Sequence, residues 1–97
     1  MRVGLFPGTF DPITNGHLKI IDKASKLFDK LYVCILHNPE KEELFSLEDR
    51  LEMINLSIKD YKNIEVTSYN GLTIDAAKKH NATYIVRGIR NTEDLKF

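Results

Sequence analysis

Residues 2–28, RVGLFPGTFDPITNGHLKIIDKASKLF, decide how the rest of the chain is read. Arg2 to Phe6 is a strand, with Val3, Leu5 and Phe6 as apolar β-formers before Pro7-Gly8 stops it. A helix follows from Asn15 or Gly16 to about Phe28. Its apolar residues Leu18, Ile21, Ala24, Leu27 and Phe28 recur at three- and four-residue steps, while Lys19, Lys23 and Lys26 fall elsewhere on its circumference. Between the two lies GTFDPITNGH, residues 8–17. Gly8 lets the backbone turn sharply off the strand and lets a ligand approach without a side chain in the way. Thr14 or Asn15 caps the orphan amides of the helix, whose free N–H groups make a seat for phosphate. His17, in the first turn, aims its imidazole at that seat. A lone histidine at a helix start also serves as a surface or capping residue. Its protonation is open at this level, since a helix N-terminus lowers the pKa and bound phosphates raise it. The segment is neither a P-loop, having no Gly-Lys-Ser/Thr, nor a GxGxxG dinucleotide fingerprint.

Working outward, strands and helices alternate without a linker or repeat. Leu31 to Leu36 is a near-continuous apolar run, the signature of a strand covered on both faces. The polar segment His37 to Glu43 follows, with Asn38-Pro39 as its breaker. Ser46 begins a helix with a capping-box spacing to Asp49, and Leu47, Leu51, Ile54 and Ile58 mark its buried stripe. Ile64 to Tyr69 alternates like a half-exposed strand. Leu72 to Lys79 is a short helix stopped by His80-Asn81, and Thr83 to Val86 is a fourth strand ended by Arg87-Gly88. Asn91 or Thr92 starts a further helix. Such alternation predicts parallel pairing through right-handed crossovers, hence a three-layer, Rossmann-like α/β domain over residues 1–97. Ligands of such sheets bind at the carboxyl ends of the strands, where the strand order reverses. Thr9 and His17, Lys41, and Arg87 with Arg90 all fall after strands, on three loops at that edge.

Composition narrows the function classes. Ninety-seven residues with 14 Lys+Arg and 14 Asp+Glu give zero formal charge, without the basic footprint of a general nucleic-acid or polybasic membrane binder. At 42% hydrophobic and 29% charged, the chain is built to fold rather than stay disordered. Its apolar runs are strand-sized, Met1 leads into no signal-peptide pattern, and the single cysteine, Cys34, forms no internal disulfide and reads as core. The expectation is a cytoplasmic protein without membrane or nucleic-acid partners. Cys34, His37 and His80 make no metal-ligand pattern, so no protein-held metal is expected. The glutamates at 40, 42, 43 and 48 read as a solvated face, and Phe45 as a packing residue.

The run GTFDPITNGH resembles the first signature of the nucleotidyltransferase superfamily, a Thr-or-His-x-Gly-His motif after strand one, in the form found in phosphopantetheine adenylyltransferases. The later landmarks agree in order: Asn38-Pro39 with Lys41, Phe45-Ser46-Leu47-Glu48-Asp49-Arg50, and Arg87-Gly88-Ile89-Arg90 with Asp94. Lys41-Glu42-Glu43 stands where the family has a lysine pair or Lys-Pro. The resemblance implies adenylyl transfer from ATP to 4′-phosphopantetheine, giving dephospho-coenzyme A and pyrophosphate by direct in-line attack. It implies that His17 stabilises the α-phosphoryl transition state as the catalytic residue. It places Thr9, Phe10, His17, Gly88, Ile89 and Arg90 on ATP. It places Thr9, Lys41, Arg87 and either Leu72 or Thr73 on the acceptor. Mg²⁺ comes with the ATP phosphates, coenzyme A is a feedback ligand, and the assembly is a homo-hexamer.

Two arginines after a strand also pair with carboxylates such as Asp94 or Glu93. Arg-Gly-x-Arg spacing, with glycine exposing backbone between two guanidiniums, suits multidentate phosphate binding better. Family members are longer, so the chain is expected to be an N-terminal portion. It would lack the C-terminal strand and helices, and its fourth strand would lie at a poorly covered edge. The competing readings are a mononucleotide adenylyltransferase, a cytidylyltransferase, or a truncated, non-catalytic nucleotide- or coenzyme A-binding module. Thr14 in place of a first histidine favours the pantetheine branch.

Overall fold

A computed structural model describes residues 1–37 and 42–87. Its elements are β1 (Val3–Gly8), α1 (Asn15–Ser25), β2 (Lys30–Leu36), α2 (Leu47–Ile58), β3 (Ile64–Tyr69), α3 (Thr73–Lys79) and β4 (Tyr84–Ile85). The four strands form one parallel sheet in the order β3-β2-β1-β4. Two crossovers, right-handed as parallel connections of this kind are, step from β1 to β2 to β3, and the third returns across the sheet to β4. Opposite travel with the same handedness puts α3 on the face opposite α1 and α2. Two clusters confirm the three layers. Phe6, Ile21, Ala24, Phe28, Val33, Ile54 and Ile58 pack on one face, and Leu5, Cys34, Ala76 and Ala77 on the other.

The register lines up the strand ends, with Gly8 opposite Ile35 and Leu36 opposite Tyr69. β1 is central and its end marks the reversal in strand order, the place where ligands of open α/β sheets sit. β1 runs two residues beyond its expected end, because Pro7 and Gly8 stay in register with Cys34 and Ile35. The carbonyls of Val3 and Leu5 accept hydrogen bonds from Thr83 and Val86, so this alternate set of residues turns its backbone toward β4. Pro7 belongs to the same set but lies past the last β4 pairing, at Leu5, where a missing N–H interrupts no ladder bond.

Other boundaries hold or shift for local reasons. α1 ends at Ser25, and Lys26 and Leu27 donate to Lys23 and Ala24 carbonyls in a tightened last turn. Ser46 caps α2, its hydroxyl accepting from Asp49 N–H. Asn81 ends the α3 segment in the left-handed conformation, φ 57°, that asparagine tolerates better than most residues. Val86, expected to be poorly covered, is fully buried against the α1–α2 face. Cys34 is likewise fully buried in the middle of β2, and burial pushes its thiol up to about 11.

Candidate active site at the carboxyl end of the sheet

The turn from β1 into α1 is built around a reciprocal cap. Thr14 is the N-cap, and its Oγ1 accepts from His17 N–H at 3.3 Å. In return, Thr14 N–H donates to His17 Nδ1 at 3.0 Å, so histidine takes the part that Glu or Gln plays in an ordinary capping box. A backbone N–H can only donate. Nδ1 is therefore the unprotonated nitrogen, and the ring proton of the neutral imidazole sits on Nε2. Phe10 meets the ring edge-on at 4.9 Å between centroids, and Phe6 lies 6.3 Å away. Burial against them pushes the His17 pKa below its ordinary value. At neutral pH His17 is thus an uncharged ring that carries its proton on Nε2.

Two expectations follow. Thr14→Ala, which removes the Oγ1 cap, costs about 1 kcal/mol of unfolding free energy by urea titration, whereas Thr14→Ser keeps most of it. The second concerns pH. A folded-state pKa below the unfolded value means the unfolded chain binds more protons, so stability is full above the ordinary histidine range and falls as pH drops through it. His80, also depressed by burial and by Lys79, acts in the same direction. Unfolding free energies at mildly acidic and neutral pH should differ more for the wild type than for His17→Gln.

The loop between Gly8 and Thr14 is clasped by the segment preceding α2. Asp11 accepts N–H bonds from Leu44 at 2.7 Å and Phe45 at 2.8 Å, one on each carboxylate oxygen. Arg50, fully buried on α2, donates from Nη1 to Thr9 O at 3.0 Å. Its Nη2 lies 3.0 Å from Glu43 Oε1, and His37 Nδ1 lies 2.8 Å from the same oxygen. The Arg50–Glu43 approach is an ion pair and the His37–Glu43 one a close contact, neither nitrogen making an aligned hydrogen bond. Glu43 is therefore no solvated face residue, whereas Glu42 and Glu48 are exposed. Phe10 turns its side chain into the core. Its φ is +48° and its ring is 2% exposed, edge-on to Phe6 at 5.2 Å. Core packing of that ring holds a backbone conformation rare for a bulky residue. Only its backbone, not its ring, is left to face a ligand.

A pocket of about 280 Å³ opens beside this clasp, lined by Gly8, Thr9, Leu36, His37, Glu42, Glu43 and Gly71. A Cβ on Gly8 would meet the Phe10 ring at 3.0 Å, and Gly71 has φ +153°, so both glycines answer to local geometry. Of the residues singled out from sequence, Thr9 lines the pocket. His17 is tied to the same loop through Phe10 but does not line it. Leu72 directly follows Gly71 and is 68% exposed as the N-cap of α3, and Thr73 is the first residue of that helix. Arg87 is exposed beyond β4, across β1 from the β2 side where the pocket lies. Lys41, Gly88, Ile89, Arg90 and Asp94 lie outside the described residues, as does the helix expected from Asn91 or Thr92. Among the described residues, no three His, Cys, Asp or Glu side chains are placed to hold a metal ion, and no helix is long and apolar enough to cross a membrane. Sequence reasoning missed Asp11, Arg50 and Glu43 as site-building groups. An acidic residue in a loop and an arginine in a helix carry no signal of burial, although a charge on the buried side of α2, one step before Leu51, was one that could have been noticed.

A parallel sheet with this loop at its switch point defines a Rossmann-like class of α/β domain. The chain belongs to the cytidylyltransferase-like family, which it matches over residues 5–97. Within that class it is similar to phosphopantetheine adenylyltransferases. It is 51% identical over 96 residues to that of Carboxydothermus hydrogenoformans, covering 99% of this chain and 59% of the relative. It is 50% identical over 97 residues to that of Clostridium botulinum strain Alaska E43, covering 100% of this chain and 61% of the relative. The chain thus spans about three-fifths of the length of these relatives. Among solved structures, Plasmodium falciparum nicotinic acid mononucleotide adenylyltransferase complexed with APC aligns at TM-score 0.67 and 20% identity, over 89% of this chain and 49% of that one. The same enzyme complexed with NaAD aligns at 0.64 and 21%, over 89% and 50%. These likenesses bear out the Rossmann-like fold.

Proposed function

We propose that the chain carries the catalytic loop and acceptor pocket of a phosphopantetheine adenylyltransferase, moving AMP from ATP to 4′-phosphopantetheine and releasing pyrophosphate. What carries the reading is the 51% identity, over nearly the whole chain, to proteins of that name. The chemistry needs little beyond what the loop provides. The acceptor phosphate is already an anion at neutral pH, so no general base is required. One of its oxygens forms the new bond to the α-phosphorus as the bond to pyrophosphate breaks. Catalysis is then positioning and charge stabilisation. His17, neutral with its proton on Nε2, donates to an α-phosphoryl oxygen as charge builds there. Thr9 and the Thr9–Phe10 backbone lie between the two phosphates. Lys41 and Arg87 hold the acceptor phosphate, and Leu72 or Thr73 contacts pantetheine. Gly88, Ile89 and Arg90 run along ATP.

Mg²⁺ belongs to the same proposal, neutralising charge on the ATP phosphates that hold it. So do a cytoplasmic location, a homo-hexameric assembly and coenzyme A as a feedback ligand. Pyrophosphate release with ATP or CTP, against phosphopantetheine or nicotinate mononucleotide, tests the reading. Turnover is expected with ATP and phosphopantetheine alone. Preference for CTP or for the mononucleotide replaces it with another transferase of the superfamily, and ligand binding without turnover makes the chain a binding module.

A further inference from the structure

Among the described residues, Arg50 has the largest side chain withdrawn fully from solvent and is the one buried polar or charged residue. No ligand can touch it there. It touches two walls of the pocket instead, through Nη1 to Thr9 O at 3.0 Å and Nη2 to Glu43 Oε1 at 3.0 Å, while Nε donates to Ser46 O at 3.4 Å. Glu43 Oε1 is shared with His37 Nδ1 at 2.8 Å, and Thr9, His37 and Glu43 all line the cavity. One cation behind the pocket thus ties the loop after β1 to the acidic wall before α2.

We propose that Arg50 is a positioning residue for the acceptor side of this site: it fixes the Thr9 backbone and compensates Glu43, whose carboxylate would otherwise oppose an anionic acceptor. The inference rests on the preceding reading that a phosphate-bearing acceptor enters this pocket. Glu42 stands on the same wall but is exposed, and water and salt screen its charge. The Glu43 side chain is only 20% exposed, so its charge reaches further into the cavity unless a partner cancels it. Arginine suits this place because its planar fork meets a carbonyl and a carboxylate at once. A lysine ammonium, a single point on a flexible stem, does not span both.

The test uses Arg50→Lys, Glu43→Gln and the double variant in the intact protein. In Arg50→Lys, amide hydrogen exchange at Thr9 and Phe10 should quicken by roughly tenfold while α3 amides stay as they are. The acceptor KM should rise by about tenfold and by clearly more than the ATP KM, because Glu43 opposes the acceptor whereas the Thr9 backbone serves both ligands. Adding Glu43→Gln should bring the acceptor KM back toward wild type, because the uncompensated carboxylate is gone. A role confined to stability gives no such rescue. Unchanged exchange at Thr9, equal rises in both KM values, or a double variant no better than Arg50→Lys would each overturn the proposal. A wild type that transfers AMP to no acceptor removes the functional reading instead, and the exchange measurement still decides whether Arg50 holds the loop.

Discussion

His17→Ala lowers kcat by roughly 10²–10³ and leaves the KM values for ATP and acceptor within a few-fold, as loss of one transition-state hydrogen bond should. The size of the effect follows from how the imidazole is held. Thr14 N–H occupies Nδ1 before any ligand arrives, so the ring reaches the reaction in one tautomer and orientation. Phe10 and Phe6 border it on the protein side and exclude water there. A donor so fixed needs no reorganisation as charge develops on the phosphoryl oxygens, which is where electrostatic catalysis gains most. The ground state carries less charge at that point, hence the small change in binding. His17→Ala also loses half of the reciprocal cap, so its unfolding curve has to be recorded alongside. Unchanged turnover, or a loss of activity that tracks a loss of folded protein, takes the ring out of the chemistry.

Arg50→Ala is expected to have the largest effect on stability, about 3–5 kcal/mol, because it strips the largely buried Glu43 carboxylate of its charge partner and the Thr9 carbonyl of its donor together. For a domain of this size that corresponds to a fall of roughly 12 °C or more in Tm. Thr9 O loses its donor, Glu43 loses its guanidinium partner, and the guanidinium's volume is left empty. Urea unfolding followed by circular dichroism measures it directly. A cost under about 1 kcal/mol, the range of exposed ion pairs, would falsify the picture of a guanidinium withdrawn from water and paired.

Most of the fold was legible because its signals are periodic. The β2 run was recognisable as a strand covered on both faces, and Leu31, Val33, Cys34 and Ile35 are all fully buried. The β3 boundaries and the Ser46 cap stand where alternation and capping chemistry placed them. Pro7 misled because proline reads as a strand breaker. Only the strand order, which leaves its side of β1 unpaired past Leu5, shows why it is tolerated. The candidate site was legible as a loop, since GTFDPITNGH is contiguous. It was not legible as a machine. Thr14 and Asn15 look equally good as caps until the backbone turns, and the return bond to His17 needs that turn. Glu43 resembled its exposed neighbours because charge in a run says nothing about which member meets a buried arginine 7 positions later in the chain.

Cys34 gives the sheet a property independent of its chemistry. A sulfhydryl held well above neutral and covered by Leu5, Ala76 and Ala77 on the α3 face of the sheet is inert toward electrophiles while the molecule is closed. With no second cysteine in these 97 residues to confuse the signal, alkylation at that sulfur marks only molecules in which the α3 face of the sheet has opened. The chain therefore carries a built-in clock for its own opening.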